Sequence, residues 1–220
     1  MSRSTYILLL LLYIVGGSLN AQPRLERPEV CLGAHAGIMA SSVLFDPAVA
    51  GIDLLQSPLS VNGGLVFRYV GHKVCALQVE LNYMQRGWRE VGDGVDYRRQ
   101  LDYLELPLLM QLYFGKQHFR AFLNLGPQVG YCIRDVEYGQ RLGQSVHQYE
   151  AITNRFDWGL AGGLGVCYRT NRIGLFQLEA RFNFSLGSIF GNKLTDHFEM
   201  SNPMGLSVNL AYLWDFKNRK

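Results

Sequence analysis

The stretch Gly174–Ser188 reads GLFQLEARFNFSLGS and alternates without a break. Phe176, Leu178, Ala180, Phe182, Phe184 and Leu186 share one parity, while Gln177, Glu179, Arg181, Asn183 and Ser185 share the other. A period of two belongs to a β-strand, because a helix repeats its apolar positions about every 3.6 residues. This strand therefore has one wholly apolar side and one wholly polar, charged side. The pattern returns in most other strands, and the sequence offers no amphipathic helix to cover the apolar sides. A closed barrel with its apolar side toward lipid and its polar side inward satisfies every strand at once. The length agrees: about ten steps of about 3.3 Å, tilted by about 40°, span the height of about 25 Å expected of an outer-membrane barrel's apolar band. A one-residue slip would turn Glu179 and Arg181 to lipid, where an Arg at the midplane costs about 2–4 kcal/mol, so the facing is strongly determined.

The remaining chain supplies seven further strands of this kind. Cys31–Val43, Pro58–Val70, Val74–Gly87, Leu101–Phe114, Phe119–Ile133 and Phe156–Tyr168 precede Gly174–Ser188, and Met204–Phe216 follows it. Tight turns fall at 71–73, 115–117 and 170–172, and longer loops at 44–57, 89–100, 134–154 and 189–202. The expected fold is all-β: an eight-stranded antiparallel up-and-down transmembrane β-barrel, with short periplasmic turns and long extracellular loops. Tyr69, Tyr113, Phe114, Phe119, Tyr168, Phe176, Tyr212 and Trp214 gather near strand ends, where interfacial girdles are expected.

Arg3 precedes the apolar run Tyr6–Val15, and small residues lead to Ala21. That run is too short for a spanning helix, which needs about 18 apolar residues, and it reads as a secretory signal over residues 1–21. Residues 22–30 form a periplasmic lead, 31–216 the barrel and 217–220 a tail. Gln22, the expected new N-terminus, is not a cysteine, which argues against a lipoprotein anchor. The formal charge of +3 falls to +2 once Arg3 is removed with the signal, and no basic stripe is available for nucleic acid. The expected location is the outer membrane, with lipid as the surrounding partner and a monomeric state.

A barrel of about eight strands is just wide enough for its side chains to fill. Arg68, Glu80, Glu105, Arg120, Asp157, Glu179, Arg181 and Asp215 all fall on the inward parity. An unpaired charge there costs several kcal/mol, so a self-neutralising plug of ion pairs is expected, with a proton or ion path as the sharper alternative. Gly159, Gly163 and Gly165 share the inward side of the sixth strand, and pairing places Gly163 and Gly165 opposite Glu179 and Arg181, leaving room for those long side chains to cross the lumen. Cys75 faces lipid, Cys132 and Cys167 face inward at different heights, and the four cysteines, Cys31 included, are expected to be free packing residues.

Catalytic readings find little. The histidines are His35, His72, His118, His147 and His197; His72 and His118 lie at short turns, and His147 and His197 in loops near Ser145, Glu150, Asp196 and Glu199. No Gly-x-Ser-x-Gly elbow is present, and Gly162-Gly163-Leu164-Gly165 has no nucleotide-loop spacing. No CxxC or His-rich spacing suggests zinc. No catalytic, cofactor or metal-binding residue is assigned. Pro107 and Pro127, neither able to donate to a ladder, fall nearly opposite each other, so a bulge or a gap in pairing is expected between them.

The segment Tyr103-Leu104-Glu105-Leu106-Pro107-Leu108-Leu109, followed by Leu125-Gly126-Pro127, the Gly-rich sixth strand and the earlier Glu80–Gly87 segment, resembles the PorT-like outer-membrane β-barrel proteins. The resemblance implies an eight-stranded outer-membrane barrel with no family catalytic residues. The founding member of that family is linked to protein secretion. The expected role is structural or interactive, with the loops at 134–154 and 189–202 as the contact surface. An accessory part in secretion is the alternative, and an outer-membrane enzyme acting on lipid or protein the third.

Overall fold

The computed structural model describes residues 24–46, 53–56, 59–92, 95–116, 118–139, 152, 154–170, 173–190 and 200–216. They form β1 (Arg24–Asp46), β2 (Asp53–Gln56), β3 (Ser60–His72), β4 (Cys75–Gly92), β5 (Val95–Lys116), β6 (Phe119–Gly139), β7 (Phe156–Arg169), β8 (Leu175–Ser185) and β9 (Met200–Asp215), with no helix among them. All pairing is antiparallel. Each long strand pairs with its neighbours in sequence, and β1 closes the ring on β9. The ring therefore has eight long strands. The short β2 pairs with β4 alone, from Asp53↔Val91 to Gln56↔Trp88, at the rim beyond the start of β3.

Facing follows the expected parity. In β8, Phe176, Leu178 and Phe182 are exposed on the outside, while Gln177, Glu179, Arg181, Asn183 and Ser185 are buried within. In β9, Leu206, Val208, Leu210 and Trp214 continue the outer apolar surface, as does Phe216 just after it. Val208 lies between Ile38 of β1 and Ala180 of β8, near mid-height. Val208→Arg is expected to destabilise the barrel in lipid by about 2–4 kcal/mol, checked by urea titration in vesicles.

Four expectations change. Residues 89–92 and 95–100 are not loop: β4 and β5 stay paired up to Gly92↔Val95. Arg134–Gly139 likewise belongs to β6, and β1 begins at Arg24, inside the expected lead. Beyond the membrane both sides of a strand meet polar surroundings, so the apolar–polar alternation fades although the hydrogen-bonded ladder continues. Nor is the lumen uniformly polar, since Val66, Leu109, Phe122 and Leu213 are buried inside it.

The two prolines interrupt pairing as expected. The β5–β6 ladder passes from Pro107↔Gln128 to Met110↔Leu125 in constant register, with no pairs between them. The β4–β5 ladder has a matching gap between Val79↔Leu108 and Asn82↔Glu105. This is a gap rather than a bulge. A bulge does occur higher up, where Asp102↔Arg134 gives way to Tyr103↔Cys132 and Ile133 is the extra residue. It reverses the parity of β6 above it, so Asp135 turns inward to Arg99 at 2.6 Å.

Candidate functional site: the closed lumen

The interior is built in three layers. At the short-turn end, Cys31, Val66, Val70, Tyr113, Phe122 and Leu213 belong to one apolar cluster. At the opposite end, Trp88, Leu101, Tyr103 and Cys132 pack with Ile189 and Phe190. Between them lies a charged layer, with its polar side chains brought to one height by strand register.

Arg181 of β8 reaches across the ring to Glu80 of β4, four strands away by either route. Its Nη1 donates to Glu80 Oε2 at 2.5 Å and its Nη2 to Oε1 at 2.7 Å, a bidentate pair. Its Nε donates to Glu179 Oε1 at 2.5 Å. Asn82 and Asn124 donate to Glu80 and Glu179, each at 2.7 Å. Arg68 completes the frame by another route. It donates to Gln78 and Gln177, whose amide groups donate in turn to Glu80 and Glu179. Two neutral glutamines thus link the lower arginine to the carboxylates that hold the upper one.

A second group lies nearer the outer end. Arg86 Nη1 donates to Asp157 at 2.9 Å and to Ser185 at 2.8 Å. Its Nη2 lies 2.5 Å from Glu105 Oε1, a contact of opposite charges rather than an aligned hydrogen bond. At the short-turn rim Arg169 joins Glu29 and Asp215, at 2.6 and 3.1 Å. A void of about 10 Å³ beside His35, Gln78, Glu179 and Arg181 is about the room one water needs.

Seven of the eight expected inward charges are buried, and Arg120, partly exposed, lies over the Tyr113 ring. Arg181 does cross the lumen, but Glu179 stays on its own side with Gln177 and Arg181 of β8 and Asn124 of β6, and Gly163 gives space to Asn124 and Glu179. The space at Gly165 is taken instead by the Phe122 ring. Arg86 and Arg99 are buried as well: Arg86 shares the parity of Glu80, whereas Arg99 falls in a stretch whose sequence reads as a loop. His35 lies inside, 2.7 Å from Asn82 and 3.8 Å from Glu80. His147, His197, Ser145, Glu150, Asp196 and Glu199 lie outside the described residues. All four cysteines are free; Cys75 is partly exposed, and the other three are buried.

The outer mouth is stoppered from above. After β8 the chain turns inward, and Ile189 and Phe190 are buried against Trp88 and Tyr103. Leu186 N donates to Trp158 O at 2.8 Å, Ile189 N to Ser201 O at 3.1 Å and Phe190 N to Ser201 Oγ at 3.1 Å, which fix the turn to both flanking strands. Arg99 lies over the rings of Trp88 and Phe190.

A ring of eight long strands, lipid-facing outside and filled inside, is the architecture of outer-membrane barrels. The sequence matches the family described as "Outer membrane protein beta-barrel domain" over residues 20–191. The chain belongs to that family. Among solved structures this outer-membrane barrel is similar to OprG from Pseudomonas aeruginosa, with 19% identity, a TM-score of 0.52, and coverage of 85% of this chain and 95% of that one. Ail of Yersinia pestis follows at 15% identity and a TM-score of 0.44, covering 84% of this chain and 99% of that one. Neisserial surface protein A follows at 11% and 0.44, covering 82% and 96%. At such identities OprG supports the fold alone. No curated protein sequence matches the chain. The barrel is an integral protein of the cell outer membrane.

Proposed function

We propose that this barrel is closed and non-enzymatic, and works through the surface it presents at the outer end. The observation that carries the reading is the filled lumen: the Arg181–Glu80 pair crosses its width, and Ile189 and Phe190 stopper the mouth above it. Charges held in a geometry this well paired are costly to separate, so the interior is suited to stability rather than to passage. Purified barrel in planar bilayers is expected to show no stepwise conductance. Steady single-channel currents would overturn the reading. Residues 1–21 act in this reading as an export signal, so N-terminal sequencing of the membrane form should begin at Gln22.

A second reading is an accessory part in a secretion system. The resemblance of Tyr103–Leu109 and Leu125-Gly126-Pro127 to PorT-like proteins supports it. Pro107 is buried and Pro127 lies on the lipid side, and the ladder gap at these prolines is equally served by a role in shaping the barrel. Crosslinking in native membranes that captures a secretion component would favour this second reading.

A further inference from the structure

The register of β4, β5 and β6 lines up outward-facing rows across three strands. Tyr83, Leu104 and Tyr131, all exposed, form the top of the apolar band on this side. The next row up is Gln85, Asp102 and Arg134, which the bulge at Ile133 turns outward. Four residues further along each strand, about 10 Å higher on a tilted barrel, Arg89 and Arg98 are direct cross-strand partners beside Tyr138. Between these rows Gly87 adds no side chain to the surface.

The electrostatics of this face are one-sided. Among the described side chains of these rows Arg98 and Arg134 accompany one carboxylate, Asp102, which is 2% exposed and accepts from Gln100 Nε2 at 2.9 Å. Arg98 lies over the Tyr138 ring and donates to Gln100 at 3.3 Å, while its buried Nε has no hydrogen-bond partner. Arg98, at the upper edge of a lipid-facing surface, with its guanidinium over an aromatic ring and on no carboxylate, suits phosphate recognition.

We propose that the outward face of β4–β6 above the apolar band, centred on Arg98 and Arg134, binds the phosphorylated headgroup of an outer-leaflet glycolipid. Charge complementarity identifies the headgroup. Continuity with the apolar surface below identifies a lipid as its carrier, since the acyl chains would lie on Leu104 and Tyr131 while the phosphates meet the arginines.

The test uses the full barrel in detergent micelles with diphosphorylated lipid A as probe. Arg98→Gln with Arg134→Gln is expected to weaken binding by about tenfold or more, while Lys73→Gln, at a periplasmic turn, leaves it unchanged. Dephosphorylated lipid A should bind the wild-type barrel as weakly as lipid A binds the double variant. Inorganic phosphate in molar excess should compete poorly. Unchanged binding by the double variant, in a barrel whose unheated gel mobility shows it folded, would overturn the proposal. So would equal binding of dephosphorylated lipid A. Full competition by inorganic phosphate would overturn the lipid as the source of the anion. None of these outcomes depends on whether the lumen conducts.

Discussion

Arg181→Met is expected to destabilise the barrel by about 3–5 kcal/mol, the usual cost of removing one member of a buried ion pair. Its guanidinium bridges Glu80 and Glu179, both buried, and the remaining donors to them are amide side chains. Without it two carboxylates face each other in a narrow, low-dielectric lumen. Urea unfolding in vesicles, followed by the shift in gel mobility between unheated and heated samples, measures the loss. Replacing Glu80, Glu179 and Arg181 together by methionine should recover most of it, because well-packed apolar side chains replace buried ion groups at little net cost. A single variant as stable as wild type would show that the cross-lumen pair does not hold the strands together.

Gly163→Leu is expected to reduce the yield of folded barrel sharply, whereas Gly162→Leu is nearly silent. A Cβ at Gly163 would lie 2.7 Å from the Ala180 carbonyl oxygen, 2.9 Å from Asn124 Oδ1 and 3.0 Å from Glu179 Oε1. The backbone oxygen cannot move without opening the β7–β8 ladder, and the other two atoms belong to the charged layer. Overpacking of this kind costs about 1–3 kcal/mol or more. At Gly162 the nearest atom is Leu125 Cδ1, at 3.2 Å, the free end of a lipid-facing side chain that can rotate away. Refolding the two variants side by side and comparing their fractions of heat-modifiable band decides the matter. Equal yields would contradict the assignment of inward and outward sides on β7.

What the sequence determines here is what depends on a single strand. The period of two in Phe176–Leu186 settles which side chains meet lipid, and it does so because neighbours i and i+2 share a side whatever the strand pairs with. The same local signal places Arg68, Glu80, Glu105, Glu179 and Arg181 inside, and the prolines at 107 and 127 announce a break in the ladder by lacking a donor. The signal fails where the surroundings stop differing between the two sides. For that reason 89–92, 95–100 and 134–139 read as loops although they are the paired upper ends of β4, β5 and β6.

Partnership across the lumen belongs to the tertiary structure alone. Glu80 and Arg181 are separated by 101 positions, and nothing in either segment names the other. Strand tilt and register bring them to one height, as they bring Arg86 to Asp157 and fold Phe190 onto Trp88. The bulge at Ile133 is likewise invisible beforehand, yet it decides that Asp135 serves Arg99 inside while Arg134 stands outside at the lipid edge. Alternation is a property of one chain segment and is written in it. Register between segments is fixed only when the ring closes and each buried charge must find an opposite one.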